Sequence, residues 1–204
     1  NLKRVYLELG GKSPNIVFND ADLEAAADSI TRGVIINSGQ VCAAGTRVLI
    51  QKGVYERLLE LLHDRFVGLR AGPPSEDLDL GPLISRKQLD RVRSYVGVAE
   101  GDRLKVAAEG QLVESAASGG FYQRPLLLRD VDPAHALAQE EIFGPVLVAI
   151  PFEDEADAVR IANGTPYGLV AGVWTRDGAR QFRLISALRA GQIFVNSFLT
   201  GPGV

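Results

Sequence analysis

The sequence predicts an α/β domain, a mainly parallel sheet with helices on both faces. Short apolar runs alternate with amphipathic stretches of roughly ten or more residues, a pattern that implies right-handed crossovers between parallel strands. The chain has 204 residues, 46% apolar and 23% charged, enough to bury one real core. A single cysteine permits no internal disulfide, so the fold must stand on that core alone.

Residues 5–9 and 15–18 read as short strands, separated by Gly10-Gly11 and Pro14. Asp20 is expected to cap a helix with Asp22 and Glu24 in its first turn, where carboxylates complement the helix dipole. Its apolar positions Ile30, Val34 and Ile35 run on until Gly39 ends it. A strand follows at 47–51. Leu58, Leu59, Leu61, Leu62 and Phe66 recur at helical spacing, giving a helix over 54–69 that a loop with Gly72, Pro73 and Pro74 closes. Leu89, Val92 and Val96 mark a helix over 85–100. Residues 104–108 form the next strand, and 110–120, rich in Ser, Ala and Gly, are the least structured stretch. Strands at 124–129 and 146–152 precede a helix over 155–163 capped by Asp154. A strand at 168–175, a helix at 178–190 and a strand at 192–196 complete the series, with no internal repeat.

Composition excludes several functions. The net charge of −3, with Lys and Arg scattered singly, argues against nucleic acid or an anionic membrane as main partner. The longest apolar stretches fall far short of the roughly 20 residues that span a bilayer. His63 and His135 are too few and too isolated for a zinc site, and no metal is expected. A lone thiol suits a reducing, cytoplasmic compartment. The chain opens with Asn1, lacks Met and stops at Gly201-Pro202-Gly203-Val204 after an apolar run, so one domain of a longer polypeptide is expected.

Three segments invite chemistry. In residues 7–14, Gly11-Lys12-Ser13 matches the tail of a phosphate-binding loop, but Tyr6 stands where its leading glycine is required and Pro14 where its helix should begin. Nucleotide triphosphate binding is therefore discarded. Glu8, beside two glycines at the end of an apolar run, reads either as an exposed strand end or as a functional carboxylate. Cys42 reads as a small buried hydrophobe or as a nucleophile, with Gly39, Ala43, Ala44 and Gly45 leaving room around the sulfur. No histidine lies nearby in sequence, which speaks against a papain-like hydrolase. Glu141, with Phe143 and a Gly144-Pro145 turn behind it, reads by itself as a turn with a packed aromatic.

Taken together, Leu7-Glu8-Leu9-Gly10-Gly11-Lys12-Ser13-Pro14, Gly39-Gln40-Val41-Cys42 with Gly45-Thr46-Arg47, Glu140-Glu141-Ile142-Phe143-Gly144-Pro145 and Val195-Asn196 resemble the signature series of the NAD(P)-dependent aldehyde dehydrogenase superfamily, in order and spacing, over nearly the whole chain. The resemblance implies that residues 1–204 are the catalytic domain, without the NAD-binding domain and the carboxy-terminal oligomerisation segment. It implies that Cys42 attacks the aldehyde, its amide forming half of the oxyanion hole, and that Glu8 activates the water that hydrolyses the thioester. Presence of Glu8 favours release of a free acid over transfer to coenzyme A. Glu141 would bond the nicotinamide ribose, Phe143 pack by the nicotinamide, and Gly10, Gln88 and Arg91 add cofactor contacts. Asn196 and Ser197 would border the substrate entrance, residues 197–204 helping to choose the aldehyde, and Lys12 would fix the loop bearing Glu8. NAD or NADP is the implied cofactor and a small-molecule aldehyde the substrate. The full-length protein is expected to be a homo-oligomer, and the 204 residues alone to turn over little. Two alternatives keep the fold: a cofactor-independent thiol esterase, and a non-catalytic structural protein.

Overall fold

The computed structural model describes residues 2–199, apart from the side chains of Ala117 and Ser118. Its elements run β1 (Pro14–Val17), α1 (Leu23–Ile35), β2 (Arg47–Gln51), α2 (Tyr55–Gly68), β3 (Arg70–Ala71), α3 (Arg86–Gly101), β4 (Lys105–Glu109), β5 (Gln111–Leu112), β6 (Leu126–Arg129), α4 (Ala136–Gln139), β7 (Val146–Phe152), α5 (Glu155–Ala162), β8 (Val170–Trp174), α6 (Gly178–Ala187) and β9 (Gln192–Val195). Among the described residues seven strands form the main sheet in the order β4-β6-β7-β2-β1-β8-β9, while β3 and β5 pair separately. Every neighbouring pair in the main sheet is parallel except β4 with β6. The α/β expectation holds.

Period two along the strands divides the core into two layers. Val17, Val48, Ile50, Leu147 and Ala149 face Ile30 and Val34 of α1 and Leu58, Leu62 and Phe66 of α2. Ile16, Leu49, Val148, Ile150 and Val173 face Leu89 and Val92 of α3, Ala158 and Ile161 of α5 and Leu184 of α6. Each fully buried Leu, Ile, Val or Phe contributes about 1.5–3 kcal/mol, so both layers are needed to close the sheet.

The strand predicted over residues 5–9 does not form. Val5, Tyr6, Leu7 and Leu9 are exposed and no strand lies beside them, so the apolar run has neither a ladder partner nor a face to bury. The first helix is capped by Asp22 rather than Asp20: the Asp22 carboxylate accepts from the Ala25 amide at 3.1 Å. Asp20 instead accepts from the Thr175 hydroxyl, the Arg176 and Asp177 amides and the Arg180 guanidinium. The helix also ends at Ile35, and a 3-10 turn over residues 36–39 follows. Asp154 caps α5 as expected, accepting from the Asp157 amide at 3.0 Å. A short β5 crosses the stretch read as least structured, where its edge pairs with β3. The helix predicted over 178–190 ends at Ala187, and α4, absent from the sequence reading, is capped by the His135 ring.

Candidate active site

Cys42 stands at the carboxyl-terminal side of α1, and the chain between them is built to turn sharply. Asn37, Ser38 and Gly39 take φ of 49°, 55° and 77°, three successive left-handed residues. Such backbone is costly for the two that are not glycine, and their side chains offset the strain. Ser38 Oγ donates to the Gly81 carbonyl at 2.8 Å, and Asn37 and Gln40 exchange hydrogen bonds with each other's carbonyls. The Gln40 side-chain carbonyl further accepts from the Ile84 amide at 2.9 Å. A tight turn then closes where Ala44 N–H donates to the Val41 carbonyl at 3.0 Å, leaving Cys42 half-buried at its tip. No acceptor among the described residues takes the Cys42 N–H.

The three sequence segments meet at this turn. A Cβ on Gly11 would fall 2.2 Å from the Cys42 carbonyl oxygen, so only glycine lets the two backbones approach so closely. The Gly11 N–H donates to Glu141 Oε1 at 2.9 Å, across 130 residues of sequence. Behind the turn, a Cβ on Gly39 would lie 2.3 Å from the Gly144 carbonyl carbon, so the flank of the cysteine loop rests on the Glu141 segment. The Gly10-Gly11 segment thus touches the thiol-bearing loop on one side and a carboxylate on the other.

The Glu141 segment is held by α3. Ser85 caps that helix by accepting from the Gln88 amide at 3.2 Å, which sets the phase of everything after it. Gln88, Arg91 and Tyr95 then project from one face, at i, i+3 and i+7. Gln88 Nε2 donates to the Phe143 carbonyl at 2.7 Å and the Ile142 carbonyl at 3.2 Å, Arg91 to the Glu141 carbonyl at 2.5 Å, and the Tyr95 hydroxyl to Glu140 at 2.6 Å. These bonds hold Phe143, half-buried, at φ 62°. Gln88 and Arg91 therefore direct their donors to loop carbonyls.

The other expected residues divide. Glu8 is exposed on the irregular segment three residues before Gly11. Asn196 binds away from the turn: its side chain accepts from the Thr175 amide at 3.0 Å and donates to the Thr175 carbonyl at 3.1 Å, tying the end of β9 to that of β8. Ser197 bonds only locally, to the Val195 carbonyl, and residues 200–204 of the expected entrance loop lie outside the described residues. Phe198 joins that loop to the site, its ring standing 2.8 Å from where a Cβ on Gly45 would be.

Two residues given little or no role by sequence reasoning anchor the floor. Arg47 is 1% exposed, and donates from Nε to the Lys12 carbonyl at 2.8 Å, from Nη1 to Ile161 at 3.1 Å and from Nη2 to Ala162 at 2.9 Å. It clamps the Gly11-Lys12 backbone to the last turn of α5, where carbonyls lack helical partners. A guanidinium opening a strand whose next three residues are apolar was the available signal. Lys12 is equally buried, and its Nζ has no hydrogen-bond partner among the described residues. Burial pushes its pKa down to about 7, with the Arg47 cation adding to the fall and Glu141 and Glu140 opposing it.

Among the described residues no helix is long and apolar enough to cross a membrane, and no His/Cys/Asp/Glu cluster could hold a metal ion. The model of the aldehyde dehydrogenase family matches residues 1–203. An aldehyde dehydrogenase of Aspergillus niger is 42% identical over 97% of this chain, and a betaine aldehyde dehydrogenase of Cereibacter sphaeroides 41% identical over 98%. The chain spans 39% and 41% of the lengths of these two relatives. Among solved structures, a Burkholderia cenocepacia chain assigned as an aldehyde dehydrogenase is 59% identical with a TM-score of 0.92, covering 94% of this chain and 40% of that one. An aldehyde dehydrogenase of Bacillus cereus, solved with NAD+, is 36% identical with a TM-score of 0.90, covering 98% of this chain and 40% of that one. A glycine segment joining cysteine and glutamate loops, in a mainly parallel sheet of this order, together with the family match over residues 1–203 and these identities, leaves one conclusion: the chain belongs to the aldehyde dehydrogenase family.

Proposed function

We propose that this chain is the catalytic domain of an enzyme that oxidises an aldehyde to a carboxylic acid with NAD or NADP, the dinucleotide-binding domain and oligomerisation segment being supplied by other parts of the protein. The observation that carries this reading is the Gly10-Gly11 segment, in contact with the Cys42 loop and with the Glu141 carboxylate. The residues fit the nicotinamide end of such a cofactor. Glu141 Oε1 is committed to Gly11, whereas Oε2 has no hydrogen-bond partner among the described residues and lies 3.1 Å from where a Cβ on Gly10 would stand. A free carboxylate oxygen over glycine backbone suits the hydroxyls of a ribose, and Phe143, two residues on, is half-buried.

Cys42 gives up its thiol proton to solvent and the thiolate Sγ adds to the aldehyde carbon, the carbonyl π pair moving onto oxygen as an oxyanion that the unpaired Cys42 N–H meets; one such donor typically contributes on the order of 10²–10³ in rate. The bound cofactor supplies the acceptor for the hydride that the thiohemiacetal loses. Glu8 then takes a proton from water as the water attacks the Cys42 thioester, the acid leaves and the thiol is restored, a role worth roughly 10²–10⁴. Asn196 and Ser197 border the aldehyde's path. A reducing compartment such as the cytoplasm suits the free thiol.

The test is made on the full-length enzyme. Cys42→Ala should leave less than about a thousandth of the turnover. Glu8→Gln should let an acyl-enzyme accumulate, seen by intact-mass spectrometry after mixing with aldehyde and cofactor. A wild-type steady-state rate with no trapped acyl-enzyme would remove Glu8 from this role. Ester cleavage undiminished without cofactor, and no aldehyde oxidation with it, would favour the thiol esterase.

A further inference from the structure

Gly10 has no side chain, and two groups stand close to where one would go. A Cβ there would lie 3.1 Å from Glu141 Oε2 and 3.1 Å from Tyr167 Cε1, so a carboxylate oxygen and the edge of a tyrosine ring flank one point beside this backbone. The carbon bonded to Cε1 bears the phenol hydroxyl, which places that hydroxyl at the same end of the ring. It makes no hydrogen bond among the described residues and is not sealed from solvent. A ring wanted only to cover Gly10 would serve as well without it, and the proposed chemistry gives Tyr167 no task.

Tyr167, half-buried in the loop between α5 and β8, is held from both directions. On its amino-terminal side the Asn163 side chain accepts from the Arg189 amide at 2.8 Å and donates to the Ala187 carbonyl at 2.9 Å. On its carboxyl-terminal side the Gly168 carbonyl accepts from the Gly191 amide at 2.8 Å, and a Cβ on Gly168 would meet the Arg189 carbonyl oxygen at 2.8 Å. The cleft that Tyr167 shares with Lys12 and Arg189 measures about 10 Å³, room for about one water, so the ring cannot turn away into it. The phenol is fixed before any ligand arrives, which lowers the cost of binding to it.

We propose that the Tyr167 hydroxyl is a further cofactor-binding group, bonding one hydroxyl of the nicotinamide ribose while Glu141 Oε2 takes its neighbour. The inference rests on the reading of Glu141 as the ribose-binding carboxylate. Ribose presents a vicinal diol, two polar groups side by side. Glu141 has one oxygen committed to the Gly11 amide and one open, and a carboxylate only accepts. A phenol hydroxyl both donates and accepts, so it serves the second hydroxyl whichever way that group points. The missing side chain at Gly10 leaves the space between the two open.

The experiment is calorimetric binding to the full-length enzyme without aldehyde, using NAD+ and two analogues that each lack one hydroxyl of the nicotinamide ribose. Tyr167→Phe should bind NAD+ about fivefold more weakly, with an unchanged urea midpoint. One of the two analogues should bind wild type and Tyr167→Phe equally, because the hydroxyl that Tyr167 holds is already gone. NAD+ affinity unchanged in Tyr167→Phe, or weakened by the same factor for NAD+ and both analogues, overturns the proposal. Should the variant fail to fold, 3-fluorotyrosine at position 167 keeps every side chain in place. Its fluorine resonance should move on addition of NAD+ and less with one of the analogues; a resonance that NAD+ leaves in place, or that all three ligands move equally, overturns the proposal. Glu141→Gln isolates the underlying reading. NAD+ affinity unaffected by that change would show that Glu141 does not hold the ribose, whereas weaker binding there beside unchanged binding in Tyr167→Phe removes only the role of Tyr167.

Discussion

Replacing Gly11 by Ala in the full-length enzyme places a methyl group 2.2 Å from the Cys42 carbonyl oxygen, well inside the 3.0 Å that real Cβ contacts respect. Nearly an ångström must be recovered from one of two stiff partners. The Cys42 turn is closed by the Ala44 to Val41 bond at 3.0 Å and braced on the Gly33 carbonyl through the Gly45 amide at 3.3 Å. Gly11 is held by Glu141 at 2.9 Å, and its neighbour Lys12 by Arg47 at 2.8 Å. Overpacking of this kind costs about 1–3 kcal/mol, and a hydrogen bond to a charged group adds about 1.5–3 kcal/mol if Gly11 is the part that yields. A displacement of about 1 Å at the nucleophile lowers turnover on the order of 10²-fold. Urea unfolding followed by far-ultraviolet circular dichroism reads the first effect, and steady-state aldehyde oxidation the second. A Gly11→Ala enzyme with wild-type midpoint and wild-type kcat would refute the claim that this backbone contact sets the position of Cys42.

The same reasoning with the opposite sign applies to Gly97→Ala, inside α3 with open space where the methyl would go: stability should rise by about 1 kcal/mol, read as a higher urea midpoint. Arg47→Lys keeps a charge but cannot reach the Lys12, Ile161 and Ala162 carbonyls together, and should lower the unfolding free energy by about 3–5 kcal/mol; a loss under 1 kcal/mol would contradict the clamp. Asp20 gives a pH signature. Burial by itself would raise its pKa, but the Thr175 hydroxyl, the Arg176 amide and the Arg180 guanidinium hold it below the usual carboxylate range. A lowered folded pKa means stability that is present above about pH 4 and lost as pH falls through the folded value. Asp20→Asn should therefore be destabilised at pH 7, with the gap to wild type closing in acid; a gap independent of pH would exclude the carboxylate as its source.

Much of the architecture was legible because it rests on short-range physics. Strand positions follow from short continuous apolar runs buried on both faces of a parallel sheet, as in Val48-Leu49-Ile50, and helix starts such as Asp154 before α5 from the need of the first amides for an acceptor. Where sequence reading erred, it lacked a neighbour. Residues 5–9 are apolar enough for a strand, but a strand exists only where another lies alongside. Asp20 and Asp22 are both suitable caps, and the choice fell to a network with Thr175 and Arg180, more than 150 residues away.

The site divides the same way. Residue identity left Cys42, Glu8 and Glu141 each open to a blander reading, a buried thiol, an exposed strand end and a packed turn, and it was the resemblance carried by their segments together that nominated them. Tertiary structure decided that Gly11 joins the Cys42 turn to Glu141, that Gln88 and Arg91 serve loop carbonyls, that Asn196 ties β9 to β8, and that Arg47 and Lys12 meet beneath the turn. Those arrangements depend on contacts between segments 21 to 130 residues apart, and no local propensity encodes such distances.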